Sequence, residues 1–278
     1  MTKKPEIETF VNYKGEELTN AELYKFRDRE EQKEVVEGYY YDGQLEYRLN
    51  LKNGEWDGLC EEFYENGQLY LRQNYKNGEE HGLEERFNDN GQLYSRQNFK
   101  NGKKEGLREY FNDNGQLQSR ENYKNGQWEG LYEYFHDNGQ LYFKHNFKNG
   151  KQEGLNEQFH ENGQLSSRGN YKNGKPDGFF EFFNKNGQLE QRRNHKNGKP
   201  DGLYECFHAN GQLRIIGNYK NGEPDGLFDH FYEHGQLHYR RNYKNGRKNG
   251  LWEYFDEEGN LTKTEEYNNG KLIHVQET

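Results

Sequence analysis

The sequence predicts an all-β protein, an elongated, single-layer, twisted antiparallel sheet built from tandem 24-residue hairpins. Three observations predict it. The Gly of Gly-Gln-Leu recurs every 24 residues from Gly43 to Gly235, with a Gly-Asn-Leu variant at Gly259. A second turn signal, Asn-Gly, keeps the same spacing from 53–54 to 269–270. The apolar residues do not recur at the helical period of about 3.6, so a helical solenoid is not expected.

The composition argues for order and against several classes of protein. Hydrophobic residues make up only 29% of the 278, a value that on its own would fit disorder. Disordered segments are poor in aromatic residues, whereas this chain has 23 Tyr and 18 Phe. The net charge of −9 gives no footprint for nucleic acid and suits a basic partner better. No apolar run has the length of a signal peptide or a membrane span, so we expect a cytoplasmic protein.

Three segments are expected along the chain. Residues 1–34 lie outside the repeat pattern and would form a cap. Thr19-Asn20-Ala21-Glu22 fits a helix capping box, which predicts a short helix near 20–33 that covers the first edge strand. A degenerate extra repeat around residues 12–15 is the alternative. Residues 35–273 hold ten tandem repeats, and 274–278 form a tail.

Each repeat contains two turns that predict hairpins. Asn-Gly between short semi-apolar runs favours a type I′ turn, which needs positive φ at both central residues. If Asn66-Gly67 is a two-residue loop, Glu61 lies opposite Arg72, and most other repeats place an acid opposite a base in the same way. A three-residue loop with a glycine bulge would instead pair Phe63 with Leu69. The first register is preferred, and the second remains open.

Few apolar positions repeat, so neighbouring repeats must stack to bury them. The positions are those of Leu59, Phe63, Leu69 and Tyr75. Cys60 and Cys206 are six repeats apart, a separation of about 58 Å for paired strands. A disulfide needs the two Cα atoms within about 7 Å, so both cysteines are expected to be free thiols.

The repeat unit resembles a known family. The stretch YKNGKPDGFFEFFNKNGQL, residues 171–189, is similar to the bacterial variant of the MORN repeat. The resemblance covers residues 35–273 and implies an elongated array of β-hairpins. Bacterial chains built of this variant resemble the antitoxin or immunity partners of toxin systems. Eukaryotic MORN repeats are associated with scaffolding, dimerisation and acidic lipids, but their Tyr-x-Gly-x-Trp stretch is absent here, so membrane binding is not expected.

Positions that vary between repeats are free to recognise a partner. The residues on either side of the constant Glu vary, and they become largely aromatic along the chain. Aromatic residues are enriched in interface hot spots. The alternative is that these rings only stack on one another to complete the sheet. The candidate partner-binding residues are Tyr132, Tyr134, Phe180, Phe182, Tyr204, Phe228, Trp252 and Tyr254.

No catalytic, cofactor or metal site is predicted. The constant Glu and Arg recur in most repeats, which fits ladder salt bridges better than an acid–base pair. His230, His234 and His238 would align on a helix, but on a hairpin His230 and His238 point to opposite faces and His234 lies in the turn. We therefore expect a non-enzymatic protein-binding repeat protein, most specifically an antitoxin or immunity protein that neutralises a basic toxin. A self-associating scaffold is the alternative.

Overall fold

The computed structural model describes residues 10–11, 17–18 and 33–278. The chain divides into two compact units, the first ending at Tyr132 and the second beginning at Glu133. Within the described ranges every regular element is a β-strand, which confirms the all-β prediction. The elongation and twist expected of the whole array stay predictions.

The first unit is an antiparallel sheet of strands joined in chain order. Its strands are β1 Phe10–Val11, β2 Glu17–Leu18, β3 Lys33–Tyr39, β4 Leu45–Lys52, β5 Glu55–Trp56, β6 Gly58–Phe63, β7 Leu69–Lys76, β8 Glu79–Phe87, β9 Leu93–Lys100, β10 Lys103–Phe111 and β11 Leu117–Lys124. Strand β12, Gln127–Phe135, runs through the division between the units.

The second unit continues the same hairpin pattern. Its strands are β13 Leu141–Lys148, β14 Lys151–Gln152, β15 Gly154–Phe159, β16 Leu165–Lys172, β17 Lys175–Phe183, β18 Leu189–Lys196, β19 Lys199–Phe207, β20 Leu213–Lys220, β21 Glu223–Pro224, β22 Gly226–Phe231, β23 Leu237–Lys244, β24 Arg247–Lys248, β25 Gly250–Phe255, β26 Leu261–Asn268 and β27 Lys271–Glu277.

The Lys-Asn-Gly turns are the two-residue hairpins that the sequence predicts. Asn77 and Gly78 have φ values of 50° and 78°, and Lys76 pairs with Glu79 across them. Asparagine tolerates positive φ better than other residues with a Cβ, and glycine adopts it freely. The same combination recurs at every Asn-Gly of this series from 53–54 to 269–270.

The Asn-Gly-Gln-Leu turns differ from the preferred prediction. Gly67 N–H donates to Tyr64 O and Tyr64 N–H donates to Gln68 O, both at 2.8 Å, which closes a three-residue loop with Gly67 as the bulge residue. Phe63 therefore pairs with Leu69, as the alternative register requires. A second irregularity one residue further shifts the register back, so that Glu61 still lies opposite Arg72. The predicted charge pair is correct, and the predicted loop is wrong.

A third irregularity explains the constant glycine before the Leu marker. Between Gln73 and Tyr75 of β7 the pairing with β8 shifts, and Gly82 has a φ of 93° at that point. The carbonyl of Leu83 accepts a hydrogen bond from the Asn74 side chain at 3.2 Å. The constant Asn of Arg-x-Asn-Tyr thus satisfies a carbonyl at the site where the ladder is interrupted.

Hydrogen bonds between successive repeats join the turns along both edges of the strands. On one edge Gly78 N–H donates to Trp56 O at 2.8 Å, and Asn77 N–H donates to the Asp57 carboxylate at 3.1 Å. On the other edge Tyr64 Oη donates to Phe87 O at 2.9 Å. Equivalent bonds recur in later repeats, where a histidine often replaces the tyrosine. Each repeat is therefore tied to the next by its backbone turns as well as by strand pairing.

The predictions for the N-terminal segment and the cysteines have separate outcomes. The helix expected near 20–33 lies outside the described residues apart from Lys33, which begins β3. Strand β1 pairs with β2 and with β3. The degenerate extra repeat considered around residues 12–15 also lies outside the described residues. Cys60 and Cys206 are both free and buried, as predicted. Cys60 packs with Val36, Tyr47 and Leu49 in a small apolar cluster.

Candidate functional site

Strand alternation sorts the repeat into two faces. We call the face with the constant Glu61, Arg72 and their equivalents the ladder face. We call the face with Cys60, Gln73 and their equivalents the variable face. Neighbouring residues therefore have opposite surroundings: Phe179 is 51% exposed on the ladder face, whereas Phe180 packs against Tyr171 and His195 on the variable face.

All eight predicted partner-binding residues lie on the variable face, and none of them is among the exposed residues. Phe228 and Trp252 are buried, with 6% and 2% exposure. The others are half-buried: Tyr132, Tyr134, Phe180, Phe182, Tyr204 and Tyr254. Their role in partner binding stays a prediction.

Within each unit the structure brings these rings into contact with other rings. In the first unit Tyr132 stacks on Trp128, with ring centroids 5.8 Å apart. In the second unit Phe228 lies 5.5 Å from both Tyr219 and Tyr243, and Trp252 lies 5.4 Å from Tyr243. The stacking alternative therefore describes real packing, because these rings form much of the core of the face.

Two glycines make room for rings in the second unit. Gly217 lies under the Phe228 ring, and a Cβ built on Gly217 would come within 2.4–2.6 Å of three ring carbons. Gly169 lies under Phe180 in the same way, with distances of 2.3–2.5 Å. Both glycines replace the polar residue that occupies this repeat position at Gln73 and Gln97.

Cations lie among the aromatic rings of the second unit, at residues that are not among the eight predicted candidates. The Arg241 guanidinium lies 4.0 Å from the Tyr239 ring centroid and 4.7 Å from that of Trp252. Lys248 Nζ lies 4.3 Å from the Trp252 centroid, so Trp252 contacts two cations. Arg193 lies 5.3 Å from the Phe182 ring. The sequence does hold a sign of these arginines. Arg193 and Arg241 occupy the same repeat position as the two glycines, so this position varies strongly between repeats.

A hydrogen-bonded carboxylate lies beside this group. Glu265 Oε2 accepts from Tyr254 Oη at 3.0 Å and from Tyr267 Oη at 2.9 Å, and Glu265 Oε1 lies 2.6 Å from Lys263 Nζ. The bond from Lys263 is the main cause that lowers the pKa of Glu265. Burial is the main cause that raises the pKa of Tyr254. Glu265 is therefore ionised and already engaged by its own neighbours.

The three clustered histidines stack on tyrosines. His230 lies 4.1 Å from the Tyr239 ring, and His238 lies 4.2 Å from the Tyr232 ring. His234 Nε2 lies 3.1 Å from Glu257 O in the turn. Burial, then Arg241 and other cationic neighbours, lower the pKa of His230 to about 4. Among the described residues no group of three or more His, Cys, Asp or Glu could hold a metal ion.

The variable face of the first unit has a different chemistry. Its central positions are polar, and Gln73, Glu84 and Gln97 are buried there. Arg86 Nε donates to Glu84 at 2.9 Å, so acid and base neutralise each other on this face. Burial raises the pKa of Glu62, and burial together with the Glu84 charge raises the pKa of Glu80.

The ladder face contains the ion pairs that the sequence predicts, with one addition. Arg72 lies between two carboxylates, 3.2 Å from Glu61 and 3.8 Å from Glu85. In several repeats the closer carboxylate belongs to the next hairpin along, as for Arg168 and Glu181 at 2.5 Å. Arg72 thus joins two hairpins by ion pairs, and Arg168 joins its strand to the next hairpin, which the pairing within one hairpin does not reveal.

An apolar row is exposed on the ladder face. The Leu or Phe after the marker glycine was expected to be buried between repeats, and the structure places most copies at the surface. Its members are 36–51% exposed: Leu83 and Leu107 in the first unit, and Leu155, Phe179, Leu227 and Leu251 in the second. We call the exposed set within each unit the leucine row of that unit. These side chains point away from the packed variable face, because they share the face of the constant Glu two residues later.

Nine consecutive segments match the family model of the MORN repeat variant, at residues 56–77, 80–101, 104–125, 128–149, 152–173, 176–197, 200–221, 224–245 and 248–272. The chain belongs to the MORN repeat variant family. MORN repeats commonly bind proteins or membranes. In the described part of this MORN-repeat chain, no helix has the length and apolar character needed to cross a bilayer.

No curated protein sequence matches the chain. Among solved structures, it is similar to a porin-like protein from Bacteroides uniformis ATCC 8492 at 8% sequence identity. That match covers 89% of this chain and 90% of the other, with a TM-score of 0.14.

Proposed function

We propose that this MORN-repeat chain is a non-enzymatic protein-binding protein of the cytoplasm. Its most specific form is an antitoxin or immunity protein that binds a partner toxin and neutralises it by steric capture. Family membership supports the general class of binding repeat proteins. The exposed leucine row is the single observation on which the proposal of protein binding rests.

Exposed apolar rows of this kind favour a partner. Single exposed apolar residues are ordinary. In the second unit, however, the exposed copies share one repeat position and fall in two pairs of neighbouring repeats, 155 with 179 and 227 with 251, so they are not scattered. In the second unit Leu227 and Leu251 occupy equivalent places on neighbouring hairpins, about 10 Å apart at the usual strand spacing. A partner that covers them removes apolar surface from water, which is favourable at roughly 25 cal/mol per Å².

The ion pairs next to the leucine row can form the polar rim of an interface. Interfaces combine an apolar centre with a polar rim. Arg240 and Asp229, joined at 2.7 Å, lie on the same face as Leu227. Such pairs contribute little to affinity when exposed, but they penalise a partner with the wrong charge pattern.

A self-associating scaffold is the second candidate, and the same row favours it. A row that recurs at one spacing is complementary in spacing to the row of a second copy. The two candidates differ in the occupant of the row, so a single set of variants tests both.

The experiment compares one triple variant of each face, in which Phe179 and Phe180, and Leu251 and Trp252, are sequence neighbours on opposite faces. One variant carries Phe179→Ser, Leu227→Ser and Leu251→Ser on the ladder face. The other carries Phe180→Ala, Phe182→Ala and Trp252→Ala on the variable face. Tagged full-length protein and both variants are used to capture partners from the native host. Light scattering of the purified chains reports self-association.

A stoichiometric partner lost only in the ladder-face variant supports the proposal, and loss only in the variable-face variant moves recognition to the predicted aromatics. The captured protein is then expressed alone and with this chain. Growth arrest that this chain relieves supports the antitoxin form. Concentration-dependent oligomers abolished by the ladder-face variant support the scaffold. A chain that stays monomeric and captures nothing contradicts both.

A further inference from the structure

Cations without acidic partners mark the variable face of the second unit. Arg193, Arg241 and Lys248 form no ion pair with any carboxylate of the described residues. Neighbouring bases on the ladder face are paired: Arg192 contacts Glu205, and Arg240 contacts Asp229. Arg193 and Arg241 are half-buried, whereas Lys248 is exposed. Partly removing an arginine from water without a counter-ion is unfavourable, so the two arginines are unusual for a purely structural role.

The aromatic rings hold these cations in place. Arg241 is fixed by Tyr239 and Trp252, and Lys248 lies over Trp252 and 3.3 Å from Tyr267 Oη. The Nε atoms of Arg193 and Arg241 are inaccessible to solvent and have no hydrogen-bond partner. Because these Nε atoms are covered, an incoming carboxylate reaches each guanidinium through its two terminal Nη groups, which also form a fork of donors.

The carboxylate of this face does not fill that role. Glu265 lies opposite Trp252, but its oxygens are taken by Tyr254, Tyr267 and Lys263. The chain as a whole is acidic, with a net charge of −9, so a cationic surface on it is local. An acidic ligand is therefore attracted to this face and repelled by most of the rest of the molecule.

We propose that the variable face of the second unit binds an extended, Asp- and Glu-rich polypeptide segment through Arg193, Arg241 and Lys248. This rests on the proposed protein-binding function and names the chemistry of a partner. The proposed acidic segment is opposite in charge to the basic partner that the net charge of the chain suggested. The reason is that the average charge of the chain does not describe this face.

The geometry favours a polypeptide over a membrane surface. Arg193 is on β18 and Arg241 is on β23, four strand spacings or about 19 Å apart. An extended segment of about six residues spans that distance. Both arginines are half-buried among rings, so a narrow chain with protruding carboxylates reaches them more readily than a flat bilayer does.

The test uses the fluorescence of Trp252, which contacts two of the three cations. Full-length protein with Trp56→Phe and Trp128→Phe retains Trp252 as its single tryptophan. The probe is a capped peptide of about eight glutamates, long enough to span both arginines, and the control probe is the matching glutamine peptide. We expect saturable binding of the glutamate peptide that weakens as salt is raised, and no binding of the glutamine peptide.

Matched variants locate the site. Arg193→Gln with Arg241→Gln should weaken glutamate-peptide binding about tenfold or more. Arg192→Gln with Arg240→Gln makes the same change in net charge on the ladder face and should leave affinity within about twofold. Circular dichroism of both doubly substituted proteins is the control for correct folding.

Equal weakening by the two double substitutions would overturn the proposal, as would absence of peptide binding. Preferential binding of anionic lipid vesicles or of a short single-stranded oligonucleotide would also overturn it, because the ligand would then be a lipid or a nucleic acid and not an acidic polypeptide. The proposed protein-binding function fails separately, through the ladder-face and variable-face capture variants. A captured partner with no glutamate-peptide binding would leave that function standing and remove this inference.

Discussion

Replacing Gly217 with alanine tests the packing of the variable face most directly. Gly217 does not have a positive φ, so its backbone accepts an alanine without strain. The added Cβ would lie 2.4 Å from Phe228 Cδ1, where ordinary contacts begin near 3.4 Å. The ring would have to retreat by about 1 Å, yet it is held between Tyr219 and Tyr243.

The expected cost follows from two opposing effects. Overpacking of this kind costs about 1–3 kcal/mol. Alanine also restricts the unfolded chain, which stabilises the protein by about 0.4–1 kcal/mol when the site is free of clashes. From the middle of each range, Gly217→Ala should lower the free energy of unfolding by about 1.3 kcal/mol. In a Phe228→Ala background the clash is gone, and the same substitution should stabilise by about 0.4–1 kcal/mol.

Urea unfolding followed by fluorescence and by circular dichroism measures both effects. Repeat arrays can depart from two-state behaviour, so midpoints are compared between variants that share one slope. Should Phe228→Ala fail to fold, Gly169→Ala and Phe180→Ala supply the same cycle at a half-buried ring. A Gly217→Ala protein as stable as the parent, or an effect with the same sign in both backgrounds, would refute the packing described here.

Three further predictions concern single groups. Burial raises the pKa of the Cys60 thiol to about 11, so in a Cys206→Ser protein a thiol reagent at pH 8 should label Cys60 far more slowly than in urea; equal rates would contradict this. The folded-state pKa of His230, about 4, lies below the unfolded value near 6.5, so the unfolded state binds the proton first. Stability should therefore fall as pH drops from 6.5 towards 4, and less steeply in His230→Phe; parallel pH–stability curves would exclude His230 as a cause. Asn122→Ala removes the 3.0 Å hydrogen bond to Leu131 O and should cost about 1 kcal/mol in denaturant unfolding. Asn114→Ala, in an exposed turn of the same unit, is the control, and equal costs would argue against a special role for Asn122.

Much of the fold was predictable because the repeat amplifies local signals. Asn-Gly specifies its own turn conformation, and ten copies at one spacing leave little freedom for the strands between them. The opposition of Glu61 and Arg72 was also predictable from charge. The loop length was not predictable, because the irregularity between Glu62 and Phe63 restores the register that the three-residue loop displaces. Two compensating irregularities leave the charge pattern unchanged, so charge alone cannot detect them.

For the candidate site, the sequence predicted on which face of the sheet each residue lies, but not its contacts or its burial. Alternation along a strand correctly groups Phe180, Phe228 and Trp252, and it separates them from Phe179. It does not show that Arg241 and Lys248 lie against Trp252, because that contact depends on pairing between hairpins and on side-chain reach. Alternation along a strand also does not predict which face is buried. The constant leucine is exposed at Leu227, whereas the adjacent variable position is buried at Phe228.

The hydrogen bonds between successive turns restrict how such a gene can change in length. Gly78 reaches back 22 residues to Trp56, and Tyr64 reaches forward 23 residues to Phe87. Removing or duplicating one whole 24-residue unit gives every donor an equivalent acceptor, so the junction closes as before. An insertion of a few residues inside a unit offsets both edges at once. Growth and shrinkage of the coding sequence by complete units is thus the change that this architecture accommodates.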